Sequence, residues 1–335
     1  MTLRRVDQSR IEQALAGYER SIRDAFLTAV RTAATGVDLN ALIAALEIGD
    51  IETAAQLATI PRAVLYPVDA AITGAFVASG ASIAASAPVW AATFGFDGRA
   101  TEAEAWARNH VGGLITEILD DQRTAIRGVV SENIGNGVNP RKAALEIAGR
   151  VGASGRREGG LIGLNAPQMR AVQNVRADLS DLSERYFTRE LRDKRFDALV
   201  ARAIKSGKPL SQVDIDRIAA RYADRSLIYR GNVIARTESL TALRAGRRQG
   251  IEQAIAQGAI NPDGVTRVWD SSGDRRVRRD HRIMDGNRVQ GMAEPYRLPD
   301  GSRMMYPGDS SLGAPASQTA QCRCTERFVV DWLRP

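Results

Sequence analysis

A mainly α protein, with a long-helix body and a small, loop-rich α+β C-terminal domain, is predicted by three features of the 335-residue sequence. Apolar residues recur at helical spacing through the first two-thirds of the chain. Aromatic residues make up only 5%, so the cores must be built largely from Ala, Val, Ile and Leu. Beyond the turn signal Asn261-Pro262-Asp263-Gly264 the helical period gives way to short β-rich runs separated by Gly, Pro and Asp. The length predicts two or three domains. We place them at 1–100, an N-terminal helical region; 101–230, a helical body with a Gly/Arg-rich loop at 152–164; and 231–335, the C-terminal domain.

Ser9 followed by Glu12 is a capping-box pattern, and Ile11, Leu15, Tyr18, Ile22, Phe26 and Val30 then follow a helical period. Asp38 is expected to cap a second helix that ends at Gly49, and Asp50 a third that stops before Pro61. Thr101 with Glu104 is another capping box, opening a helix of about thirty residues that ends at Gly135-Asn136-Gly137. Asn139-Pro140 opens a short helix, with Pro in its first turn. Five glycines with Arg156 and Arg157 make 152–164 the sharpest composition break, a basic linker or an ordered loop. Helices are expected again at 166–206, 211–228 and 231–257, and short strands at 265–269 and 328–332. Leu298-Pro299-Asp300-Gly301 and Tyr306-Pro307-Gly308-Asp309 are turns.

The charge is unevenly spread. Residues 1–149 carry a net −4, residues 150–250 a net +10, and 261–335 a net +2. Arginine supplies nearly all of the middle excess, and its planar fork suits phosphate and carboxylate alike. One reading is contact with a nucleic-acid backbone through Arg156, Arg157, Arg192, Lys194 and Arg195; the other is a solvated helix surface. Two cysteines and two histidines exclude a disulfide-stapled scaffold and a His-rich metal cluster. Residues 1–10 do not read as a secretory signal. The stretch 70–96 has no charged residue, but Gly74, Gly80, Pro88 and Gly95 interrupt it. It reads as a buried small-residue helix and a following loop rather than a membrane span.

The most informative signal is an ordered set of short pieces. Ile234-Ala235-Arg236-Thr237-Glu238 opens a helix. Trp269 precedes Asp274-Arg275-Arg276-Val277-Arg278-Arg279-Asp280-His281, then come Met284-Asp285-Gly286 and Val289. Pro299-Asp300-Gly301, Tyr306-Pro307-Gly308-Asp309 and Cys322-Arg323-Cys324 complete the set. Together these resemble the Mu F-like, SPP1-type phage head morphogenesis proteins, or minor capsid proteins. The motif-bearing part is 231–330, and a weaker helical resemblance reaches back to about residue 100. The family commonly has Asn before its Cys-x-Cys, where this chain has Gln321. The resemblance implies a virion component without catalytic activity, in the head near the portal and in the host cytoplasm during assembly. It implies portal and capsid or scaffolding proteins as partners, with packaged double-stranded DNA a further one, and a part in procapsid assembly, DNA packaging or ejection.

His281, Cys322 and Cys324 are three plausible zinc ligands, with Asp285 or Asp280 as a fourth, and a small loop-rich domain gains from such a staple. The alternative is a histidine hydrogen-bonded to a carboxylate or carbonyl beside two buried thiols. A Cys322–Cys324 disulfide would be strained. An enzymatic reading makes His281 a general base oriented by Asp280 or Asp285; against it stands a buried polar network of Arg–Asp pairs that fixes loops. His110, four residues after Trp106, reads as a satisfied interior or boundary histidine, and Arg236 with Glu238 as a helix-start pair.

Overall fold

The computed structural model describes residues 4–152, 155–319 and 321–333, with side chains from residue 11 onward. Helices α1 (Arg4–Thr35), α2 (Leu39–Glu47), α3 (Ile51–Leu57), α4 (Tyr66–Ala84), α5 (Thr101–Trp106), α6 (Gly112–Gly135) and α7 (Pro140–Ala148) lead into a hairpin, β1 (Arg150–Val151) and β2 (Arg157–Glu158). Helices α8 (Ala166–Ser180), α9 (Asp197–Ser206) and α10 (Gln212–Ala256) follow. The C-terminal part then runs β3 (Thr266–Asp270), α11 (Arg279–Ile283), β4 (Arg288–Gln290), β5 (Tyr296–Arg297), β6 (Arg303–Met304), α12 (Ala316–Thr319) and β7 (Thr325–Val329). This is the mainly α class with a small α+β end that the periodicity predicts.

Local chemistry explains the element ends. Asp38 accepts the N–H groups of Asn40 and Ala41, Asp50 that of Thr53, and Asn139 that of Lys142, so three expected caps are present. Two others are not. Helix α1 begins at Arg4, so Ser9 lies inside it, and its side chain is outside the described residues. Helix α5 is preceded by Ala100, with no side-chain cap. The expected thirty-residue helix is divided by a π-helical turn at Ala107–Val111. The helix expected over 166–206 is broken between α8 and α9 by two 3-10 turns, and Leu182 takes a φ of +53°. Conversely, 211–228 and 231–257 form one helix, α10. Gly231 does not break it, because it packs against Leu27 and Phe26. Tertiary contact outweighs the roughly 1 kcal/mol that a glycine costs in a helix.

The chain forms two compact units, Met1–Arg23 with Asp69–Gly112 and Val233–Pro335, and Asp24–Val68 with Gly113–Asn232. These units interleave along the chain, whereas 1–100, 101–230 and 231–335 run consecutively. In the second unit α2, α3, α6, α7 and α8 enclose an apolar core that includes Leu42, Ile126, Val130, Ile147 and Val172. Residues 155–164 of the Gly/Arg-rich segment return through β2 against that core: a Cβ on Gly160 would lie 2.6 Å from the Gly149 nitrogen and one on Gly159 2.2 Å from the Ala220 Cβ.

In the first unit α4 lies against α10. A Cβ on Gly246 would fall 2.1 Å from the Phe76 carbonyl oxygen, and one on Gly250 2.7 Å from that of Gly80. Such spacing brings two backbones closer than any larger residue allows. The charge-free stretch is thus the small-residue helix expected, followed by a loop. By length and composition alone, Ile51–Ala84 is apolar enough to cross a membrane; Pro61 and a 3-10 turn interrupt it. The Phe76 and Trp106 rings stack at 4.3 Å, Trp106 stacks on His110, and His110 Nε2 lies 2.7 Å from the buried Glu238 carboxylate. His110 is the satisfied boundary histidine anticipated. Beyond α10 a three-stranded antiparallel sheet, ordered β4-β3-β7, is centred on β3.

Candidate metal centre

Strand β3 alternates two kinds of anchor. Trp269 is fully buried and meets the His281 and Tyr296 rings edge-on, each at 5.2 Å. It heads a small core with Met284, Leu298, Met304 and both cysteines. Arg267 is also fully buried. Its Nε donates to the Gly291 carbonyl at 2.7 Å, and its terminal nitrogens donate to the carbonyls of Met305 and Glu294. The Glu326 carboxylate lies 3.2 Å away on β7. Burial pushes the Glu326 carboxyl up to about 7, against the pull of Arg267.

Helix α11 brings His281 beneath Trp269, and the segment before β7 brings Cys322 and Cys324 to the same point. Both sulfurs lie 3.5 Å from His281 Nδ1, and all three donor atoms fall within 4.8 Å of one another. All three residues are buried. Hydrogen bonding from Cys324, and further help from His281 and Arg244, hold the Cys322 thiol well below its ordinary value despite burial. The same contact with Cys322, together with burial, pushes the Cys324 thiol up.

The Cys-x-Cys segment is held by a residue absent from the sequence-based set. Arg244 of α10, itself buried, donates to the Cys322 carbonyl at 2.7 Å and to the Cys324 carbonyl at 2.5 and 3.1 Å. The Tyr306-Pro307-Gly308-Asp309 turn closes over this guanidinium. Gly308 has φ +84°, and a Cβ there would lie 2.6 Å from Arg244 Nη1. The buried Asp309 carboxylate fixes the turn by accepting from the backbone N–H groups of Met305 and Ser311 at 2.9 Å each and from the Ser311 hydroxyl. Gly286, at φ +79°, donates its N–H to the Trp269 carbonyl at 2.8 Å. Pieces spread along the sequence therefore meet around one small core.

The remaining motif residues lie around this core. The Asp274 carboxylate grips both terminal nitrogens of Arg323 and accepts the Arg276 N–H; the hydrogen bonds from Arg323 draw it down to about 2. Arg278 precedes α11, and its carbonyl accepts from the Arg282 N–H. Asp280 accepts from Gln318 at 2.7 Å, and Gln318 also reaches Asp300. Asp285 is exposed, lies outside the His/Cys cluster, and accepts the Ser271 N–H at 2.9 Å. With both carboxylates engaged elsewhere, neither orients His281. Arg236 and Glu238 do not start a helix; they lie well inside α10. Glu238 pairs with His110, while Arg236 lines a cavity of about 230 Å³ with Leu240, Asp270, Ser271, Asp274 and Arg323.

The five cations assigned to DNA are mostly engaged within the protein. Arg157 donates to the Gly149 carbonyl, Arg192 holds Asp197 through several hydrogen bonds, and Arg195 grips Asp193. Lys194 is exposed, and Arg156 lines a cavity of about 250 Å³ with Arg31, Arg221 and Asp224. Asp216 joins Arg150 and Arg176, and Asp178 holds Arg189. Many arginines of 150–250 thus pair with carboxylates of the same segment, and the net +10 is what remains after those carboxylates are counted.

Gln321, exposed and immediately before the first cysteine, has a φ of +53°. A side chain with a Cβ is disfavoured there, and Asn tolerates the region better than Gln. Gln321→Asn is expected to raise stability by a few tenths to about 1 kcal/mol, read as a higher urea midpoint; an unchanged or lower midpoint would refute the strain.

Residues 194–327, 134 of the 335, match the family model described as Phage Mu protein F like protein. The match spans nearly all of the motif-bearing segment and extends upstream into α9 and the start of α10. No curated protein and no solved structure matches the chain.

Proposed function

We propose, from the match of residues 194–327 to the Mu F-like family, that this chain is a minor capsid, head morphogenesis protein of a tailed phage. In this role it sits at the portal vertex or in the head interior, contacts portal and capsid or scaffolding protein, and assists procapsid assembly, with a share in DNA packaging or ejection. The family match carries the reading. The chemistry of the site agrees with a structural role: the motif residues hydrogen-bond to one another and fix loops, and the two carboxylates nearest His281 in sequence serve Gln318 and Ser271. Internal DNA binding has weaker support, because Arg157, Arg192 and Arg195 already have partners within the chain.

Mass spectrometry of purified procapsids and virions is expected to find the chain in one or both, at few copies, and to recover it with portal protein on gentle disruption. Its absence from both particles would overturn the proposal.

A further inference from the structure

We propose that His281, Cys322 and Cys324 form a zinc site in which Nδ1 and two thiolate sulfurs are the protein ligands. A tetrahedral zinc ion with Zn–S near 2.3 Å and Zn–N near 2.0–2.1 Å separates a sulfur from a nitrogen ligand by about 3.6 Å. Both sulfurs lie 3.5 Å from the ring nitrogen, and no donor atom is more than 4.8 Å from another. The two sulfur–nitrogen edges of a zinc tetrahedron are thus already in place, and the sulfur–sulfur edge lies within 4.8 Å.

The chemistry of the donors selects the ion. Two thiolates and an imidazole are soft and borderline ligands, suited to zinc and poor for magnesium or calcium. His281 is 1% exposed, and among the described residues the two sulfurs are its only polar side-chain partners, since Nε2 has none. The imidazole is therefore aimed by packing against Trp269 rather than by a competing carboxylate. Arg244 adds a positive charge against the backbone of both cysteines and fixes their carbonyls, so the sulfurs are presented on a rigid loop. Asp285 does not complete the set, because its carboxylate is turned to the Ser271 N–H. The fourth position is left to water or to a group from outside these three side chains. The surrounding core is small, with Trp269, Met284, Tyr296, Leu298 and Met304 its largest members. Small cores of this kind gain most from a metal staple.

The test uses the full-length chain expressed with zinc and dialysed against metal-free buffer. Elemental analysis is expected to find one zinc per chain, and X-ray absorption at the zinc edge two sulfur neighbours near 2.3 Å. Cobalt substitution should add intense thiolate-to-cobalt absorption in the near ultraviolet. Cys322→Ser and Cys324→Ser should each weaken or abolish that absorption, while Asp285→Asn should keep both metal and spectrum. Because these readouts are made first on the unaltered chain, misfolding of a variant does not decide the matter. A chain that retains no zinc, or holds it with only nitrogen and oxygen neighbours, would overturn the proposal, as would loss of the metal in Asp285→Asn.

Discussion

Arg267→Met is expected to destabilise the C-terminal sheet by about 3–5 kcal/mol, the range for removing one partner of a buried ion pair. Hydrogen exchange should lose protection first in β3 and β7. The guanidinium is fully buried and serves three loop carbonyls as well as Glu326. The Met305 and Glu294 carbonyls belong to loops on either side of the β5–β6 hairpin, and the Gly291 carbonyl to the turn after β4. The substitution leaves four acceptors facing a thioether. The double change Arg267→Met with Glu326→Gln should recover only the ion-pair share of the loss, because the carbonyls still lack their donor. Full recovery in the double variant would mean that the carbonyl contacts contribute nothing.

Gly246→Ala should cost about 3 kcal/mol, the upper part of the usual overpacking range, for a single added methyl. The Cβ would lie 2.1 Å from the Phe76 carbonyl oxygen, and backbone cannot swing aside as a flexible side-chain end can. Helices α4 and α10 would have to separate, loosening the Phe76–Trp106 stack as well. Gly74→Ala, on the same α4, is the control: nothing lies within 4 Å of its Cβ position. Alanine there should stabilise by about 0.5–1 kcal/mol through helix propensity. Urea unfolding of both variants gives the comparison. A neutral Gly246→Ala would refute the close approach of the two helices.

What could be read from the sequence was what local chemistry decides. Asp38, Asp50 and Asn139 cap helices through N–H groups two or three residues away, so a short window suffices to see them. The two halves of α10 could not be joined from sequence, because Gly231 reads as a break until Leu27 and Phe26 are brought against it. Thr101 failed as a cap because Ala100, one residue earlier, is where the backbone enters the helix. At the candidate site the ligand types were legible and their meeting in space agrees with the expected trio. The fourth candidate was not correctly placed. Asp285 is close to His281 in sequence, yet the turn at Gly286 directs its carboxylate to Ser271. Arg244 and Arg267 were missed for a common reason. In a helix or a short strand an arginine ordinarily marks a wet face, and nothing local to either one reveals the distant carbonyls that bury it.

Arg244 also bears on the order in which the protein can be made. The carbonyls it serves lie 78 and 80 residues further along the chain. During synthesis α10 emerges with a cation for which no acceptor yet exists, and β3 emerges before its neighbour β7. Closing so long a loop carries an entropic cost before any contact repays it. The contacts of Arg244 with the Cys322 and Cys324 carbonyls and the pairing of β3 with β7 therefore form only after the last part of the chain is made. A chain truncated before residue 322 lacks both carbonyl acceptors of Arg244 and the β7 edge of the three-stranded sheet.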